Sequence, residues 1–277
     1  MGTVQMAMAQ NNPPARARVV DCALDMRRRY GRHPAVQRAA ASLGQRAARR
    51  GAGSRIGLVD MGLQAGVPDL RSARIEWRHF GDGAPASGAL VEHGTHAASL
   101  LVAQGRRVLR GLVPAGRLAV AVVGRADGTA GHAQVADALR WLLQRRVQVI
   151  ALPLGAREAD ARLTRALRHA HRRRVTVFAA AGNLNPQRVL FPARLRGVVA
   201  TGAARPGGGC RRPGLDLVVP GTDIPALVGD AEVSPRSGSS VACVVAAALA
   251  ALAPSRRGAP RHGTRPLQTT IFPRRTA

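Results

Sequence analysis

The chain has 277 residues, 46% of them hydrophobic, and carries 42 basic against 15 acidic residues, a net charge of +27. That length and apolar fraction suit one sizeable α/β domain, or at most two small ones. No apolar run reaches the roughly 18 residues of a membrane helix, and seven aromatics (two Trp, one Tyr, four Phe) leave little to stack against bases.

In chain order, residues 1–52 come first, rich in Arg, Ala and Gln, with helix-compatible stretches such as PAVQRAAASLGQRAARR (34–50). They read as a basic N-terminal extension, compatible with a reduced pro-segment. The opening MGTVQMAMAQNNPPARARVV lacks a basic-then-apolar secretion pattern, which makes the cytoplasm the default expectation. From residue 54 short apolar runs alternate with helical patterns, the texture of β-α-β units and a parallel sheet. RIGLVD (55–60) and LAVAVV (118–123) read as buried strands, and HAQVADALRWLLQRR (132–146) as a helix. VQVIALPLG (147–155) reads as a strand into a Gly turn, and ADARLTRALRHAHRRR (159–174) as a helix with a basic end. VTVFAAAGN (175–183), GVVATGA (197–203) and LDLVVPG (215–221) repeat the strand pattern. Residues 241–253, VACVVAAALAALA, read as a buried helix. The domain reading is therefore an extension over 1–52, an α/β domain over 53–253 and a basic, disordered tail over 254–277.

Cys22, Cys210 and Cys243 lack metal-type spacing and read as free thiols. The basic residues other than His are all Arg and are scattered rather than gathered in a stripe. The charge therefore reads as compositional, with no specific nucleic-acid partner expected.

Chemistry can sit in three places, because parallel sheets gather reactive groups at the carboxyl ends of their strands. Asp60 closes the buried run RIGLVD, where an acid needs a partner to stay ionised. It either orients a histidine or caps a turn. His93 and His96 stand three apart in VEHGTHAASLL (91–101), ahead of a small, apolar helical stretch, HAASLLVAQG. They could share a metal, but no further ligand follows at a usable spacing, so one base and one packed residue is the simpler reading. In PRSGSSVACVVAAALAAL (235–252) a serine opens a buried helix, either as a cap or as a nucleophile beside the helix's N–H groups. Together Asp60, His93 and Ser240 stand in a chain order that a convergent Asp-His-Ser triad uses.

These segments resemble the subtilisin-like serine peptidases, the subtilases. IGLVDMGLQAGVPDLR is similar to the family's Asp segment, HGTHAASLL to its His segment, SGSSVA (237–242) to its Ser segment and AAAGN (179–183) to its oxyanion Asn segment. The connectors GLVPAGRLAVAVVGRADGTA, RRVQVIALPLG and LDLVVPGTDI agree as well, so the match spans about residues 54–253. The resemblance implies a three-layer α/β fold with a mostly parallel central sheet between helices. It implies a serine endopeptidase with Ser240 as nucleophile, His93 as base, Asp60 as its orienting partner and Asn183 as oxyanion donor. Leu154 and Gly155, with Pro153, would pair with substrate backbone. Gly155, Ala156, Ala181 and Gly182 would line the first specificity pocket and favour an apolar side chain. The implied partners are protein or peptide substrates met by a monomer. No cofactor is expected; the resemblance brings calcium with it, but no loop here offers a site. Met61, Pro153, Ser239, Cys243 and Val244 depart from the family pattern. An alternative reading is a subtilase fold that binds peptides without cleaving them.

Overall fold

The computed structural model describes residues 19–82, 86–183, 188–206 and 213–253. The 254–277 tail and Cys210 lie outside the described residues. The described residues begin with strand β1 (Val20–Asp21) and helices α1 (Cys22–Tyr30), α2 (Pro34–Arg38) and α3 (Ala40–Leu43). Then come β2 (Arg55–Asp60), β3 (Arg74–His79), α4 (Ala89–Val102), β4 (Leu109–Arg110) and β5 (Arg117–Val122). Next are α5 (His132–Gln144), β6 (Val149–Leu152), α6 (Ala161–Arg172), β7 (Thr176–Ala180), β8 (Val198–Ala204) and β9 (Leu217–Pro220). The hairpin β10 (Ile224–Val228) and β11 (Glu232–Arg236) leads into α7 (Ser239–Leu252).

Among the described residues, seven strands form one sheet in the order β3-β5-β2-β6-β7-β8-β9, every pair parallel. The central strands are buried on both faces, which is why their sequences are continuous apolar runs rather than alternating ones. Alternate side chains still face opposite layers. Ile56, Leu58, Val120, Val149 and Phe178 join a core with α4 and α7. Val59, Ala121, Ile150, Leu152 and Val177 join a second core with α5 and α6. The result is the expected three-layer fold.

Several elements carry no clear signal in the sequence, among them β3 and the β10–β11 hairpin. β3 is an edge strand, RIEWRH, with no buried residue and so no apolar period to signal it. The β10–β11 hairpin packs beside α4 and delivers the chain to Ser239.

The 20–50 segment packs closely on the domain. β1 pairs in parallel with β4. Cys22, Met26, Tyr30, Val36 and Leu43 are buried in the same core as the sheet strands. Arg50 is buried and donates from Nη2 to Asp21 Oδ1 at 3.0 Å and to the Gly111 carbonyl at 2.9 Å. Tyr30 donates its hydroxyl to the Thr222 carbonyl at 2.7 Å.

Candidate active site

Parallel strands bring their carboxyl ends to one edge of the sheet. Asp60 ends β2 there, and the turns after β6 and β7 carry Leu154 to Ala156 and Ala181 to Asn183 to the same edge. Asp60 is fully buried, and its Oδ1 accepts from the Met61 N–H and from His93 Nδ1, each at 2.7 Å. Asp60 Oδ2 is also buried and has no hydrogen-bond partner. The residue after Asp60 is Met61, where the resembled family has a hydroxyl, so no side-chain donor is available next door.

His93 lies within α4, which starts at Ala89 rather than at the histidines. Gly94 sets how close that helix comes to the Asp60 strand end. A Cβ on Gly94 would fall 1.8 Å from the Gly62 carbonyl oxygen and 3.2 Å from Asp60 Cβ. Only glycine lets the two backbones meet, and that contact brings His93 within reach of Asp60. The His93 side chain keeps 38% of its surface exposed while its partner is sealed from water. Asp60 raises the His93 pKa above the ordinary 6.5 through its charge and hydrogen bond; burial and the Arg236 cation oppose the rise.

His96 has a different environment. Arg236 Nη2 lies 3.4 Å from His96 Nε2. A guanidinium can only donate, so Nε2 is the acceptor and the ring is neutral. Burial, then Arg236, then His93 push its pKa down to about 4. His96 is therefore neutral and a weaker base than His93, and its Nε2 is already engaged by Arg236. Arg236 was missed in the sequence, because its effect on both rings arises only when β11 folds back over α4.

The serine side of the site is built by the start of α7. Gly238 has φ +140°, a conformation L side chains avoid. Its N–H donates to the Gly221 carbonyl at 2.8 Å. Ser239 is buried; its N–H donates to Asn183 Oδ1 at 2.9 Å, and its Oγ accepts from the Gly182 N–H at 3.1 Å. The first contact uses the Asn183 carbonyl and leaves its Nδ2 group as the donor end. In the sequence Ser239 is only a departure from the family pattern, but in the fold it ties the Asn183 turn to the serine helix. None of Ser237, Ser239 or Ser240 caps α7 with its side chain.

The structure joins Asp60 to His93, and Asn183 to the start of α7. No hydrogen bond joins Ser240 Oγ to His93. The two halves still lie close together, because α7 packs against both α4 and β2. Cys243, one turn beyond Ser240, has its pKa pushed up to about 12, chiefly by burial and in part by the charge of Asp60. Burial likewise pushes the Cys22 thiol up, which disfavours the reactive thiolate at both positions.

Leu154, Gly155 and Ala156 line a cavity of about 340 Å³ together with Met61, His132 and Leu163. Ala181 and Gly182 do not line it: Ala181 accepts a hydrogen bond from the Leu190 N–H at 3.1 Å, and Gly182 faces the Leu190 side chain, as Gly155 also does. Among the described residues no three His, Cys, Asp or Glu side chains gather where they could hold a metal ion. Nor is any helix among them long and apolar enough to cross a membrane.

Known proteins with this pattern are proteases. The Subtilase family profile matches residues 51–271. The thermostable alkaline protease of Halalkalibacterium halodurans is 30% identical over 213 residues, covering 74% of this chain and 58% of that protein. Subtilisin BL of Lederbergia lenta is 31% identical over 209 residues, covering 73% of this chain and 76% of that protein. The chain thus spans between about half and three quarters of these relatives' length. In structure it resembles the prenylagaramide maturation protease PagA, with a TM-score of 0.66 at 22% identity over 79% of this chain and 80% of that one. Sphericase gives the same TM-score at 20% identity over 79% and 82% of the two chains. With the parallel sheet, the Asp60–His93 pair and a profile match over most of its length, the chain belongs to the subtilase family of serine peptidases.

Proposed function

We propose that the protein is a serine endopeptidase. Ser240 Oγ attacks the scissile carbonyl while His93 Nε2 takes its proton. The imidazolium then protonates the leaving amine, and water repeats the sequence to release the acyl group. Asp60 holds the Nδ1–H tautomer and stabilises the imidazolium. Asn183 Nδ2 and the Ser240 N–H bind the oxyanion.

The observation that carries this reading is the 2.7 Å bond from a half-exposed His93 to a fully buried Asp60. A buried carboxylate aimed at one ring nitrogen leaves the other nitrogen for substrate chemistry. The Ser239–Asn183 bond supports the oxyanion role, because it fixes an amide donor beside the nucleophile. The segment 153–155 follows β6, where an extended peptide can add as a strand, and the cavity beside Leu154 suits an apolar substrate side chain.

The open Ser240–His93 contact favours a second reading, a fold that binds peptides without cutting them. Such contacts are often long without substrate and tighten in the complex. A fluorophosphonate probe separates the two. The peptidase reading expects covalent labelling at Ser240 that Ser240→Ala abolishes. A folded wild-type protein that takes no label and does not cleave casein is a binder.

A further inference from the structure

In the peptidase reading, the turns after β6 and β7 form the two walls beside the nucleophile. Gly155 belongs to one wall and Gly182 to the other. Two facing glycines would normally leave a slot deep enough for a large side chain. Here the slot is filled. A Cβ on Gly155 would lie 2.9 Å from Leu190 Cδ1 and 3.2 Å from Leu190 Cβ. A Cβ on Gly182 would lie 2.7 Å from the same Cδ1 and 2.8 Å from Leu190 Cγ. One side chain therefore covers both glycines.

The backbone around Leu190 is held in place. Its N–H donates to the Ala181 carbonyl at 3.1 Å, on the Gly182 wall. Its neighbour Phe191 exchanges two hydrogen bonds with Ala156, at 2.7 and 3.0 Å, on the Gly155 wall. Leu190 accepts from the Arg194 N–H at 3.0 Å. With bonds to both walls, the backbone cannot carry the side chain out of the slot without breaking them. Gly182 also bonds to Ser239, so the filled slot lies directly beside the start of the Ser240 helix.

We infer that Leu190 truncates the first specificity pocket and restricts the residue that supplies the scissile carbonyl to glycine or alanine. This rests on the peptidase reading and narrows it. The resemblance implies a pocket lined by small residues that takes an apolar side chain; Leu190 already occupies that space. Selection for larger apolar groups then falls to the cavity that Leu154, Gly155 and Ala156 line and Leu190 does not.

The test uses peptidyl diphenyl phosphonates that differ only in the side chain at the reactive centre: Gly, Ala, Leu or Phe. A fluorophosphonate without a side chain is run alongside. The wild-type protein should react with the Ala reagent about tenfold or more faster than with the Leu or Phe reagents, the usual effect of an ill-fitting side chain. Leu190→Ala should reverse the order, and Leu190→Val should fall between. If the fluorophosphonate labels the wild type but the Leu or Phe reagent reacts as fast as the Ala reagent, the pocket proposal is overturned. The same holds if Leu190→Ala is labelled normally yet keeps the wild-type order. A folded protein inert to the fluorophosphonate overturns the peptidase reading itself, and the pocket proposal falls with it.

Discussion

Gly94 of α4 packs on the carbonyl oxygen of Gly62 so tightly that a β-carbon on Gly94 would sit 1.8 Å away. The Asp60–His93 bond depends on this crossing, because it sets the depth at which His93 reaches the strand end. Gly94→Ala should push the helix outward. The expected cost is at least the 1–3 kcal/mol typical of overpacking, with activity lost beyond what the stability loss explains. Thermal unfolding and kcat/KM on a model peptide, measured below the transition, separate the two effects. An active, stable Gly94→Ala variant would show that the crossing is looser than described.

Asp60→Asn keeps the shape but places an amide opposite His93 Nδ1. With its oxygen at the Oδ1 position the amide still accepts from His93 Nδ1, but it lacks the negative charge that stabilises the imidazolium, so kcat should fall by about 10⁴. The fold should survive, since the amide oxygen can still accept from the Met61 N–H. Circular dichroism checks the fold and burst kinetics check the chemistry. A loss of less than tenfold would argue against the orienting role.

The pH profile has a definite sign. His93 acts as a base only when neutral, so kcat/KM should rise with pH through its pKa, which Asp60 holds above 6.5. Arg236 opposes that rise, since a cation disfavours a second positive charge nearby. Arg236→Gln should therefore move the acid limb to higher pH, whereas Arg236→Lys, which keeps the charge, should leave it nearly in place. Movement to lower pH in the Gln variant would contradict the electrostatics. The profiles are read from initial rates at constant ionic strength.

Asp69 anchors the turn before β4. It is fully buried, and its two oxygens accept from the Arg107, Val108 and Leu109 N–H groups at 2.6, 2.9 and 2.9 Å. Asp69→Asn turns one acceptor into a donor facing N–H groups. Each orphaned buried N–H costs about 1–3 kcal/mol, so the denaturant midpoint should drop clearly. Because the site is remote in role, kcat of the folded fraction should change little.

The fold was largely legible where burial imposed a pattern. β2, β5, β6 and β7 are sealed between two helix layers, so their sequences had to be apolar throughout. β3 escaped notice because an exposed edge strand is under no such demand. The start of α4 was misjudged because ALVE (89–92) reads as ordinary loop or helix until it packs on Gly62. The candidate residues Asp60, His93, Asn183 and Ser240 were legible because each sits in a short local motif. Arg236, Ser239 and Leu190 act through contacts with residues far away in the chain, and no local pattern marks them.

The sequence by itself determined the alternation of strands and helices and the order Asp60, His93, Ser240, since both are local properties of residue type and spacing. Residue type and spacing alone did not set His93 and His96 apart, because they sit one turn apart on the same helix. The tertiary structure gives them different surroundings. The Gly62–Gly94 crossing gives His93 to a buried carboxylate, and the hairpin gives His96 to a guanidinium, which keeps one ring basic and the other neutral. It also placed Leu190 between Gly155 and Gly182, because packing alone decides which side chain fills a space walled by distant segments.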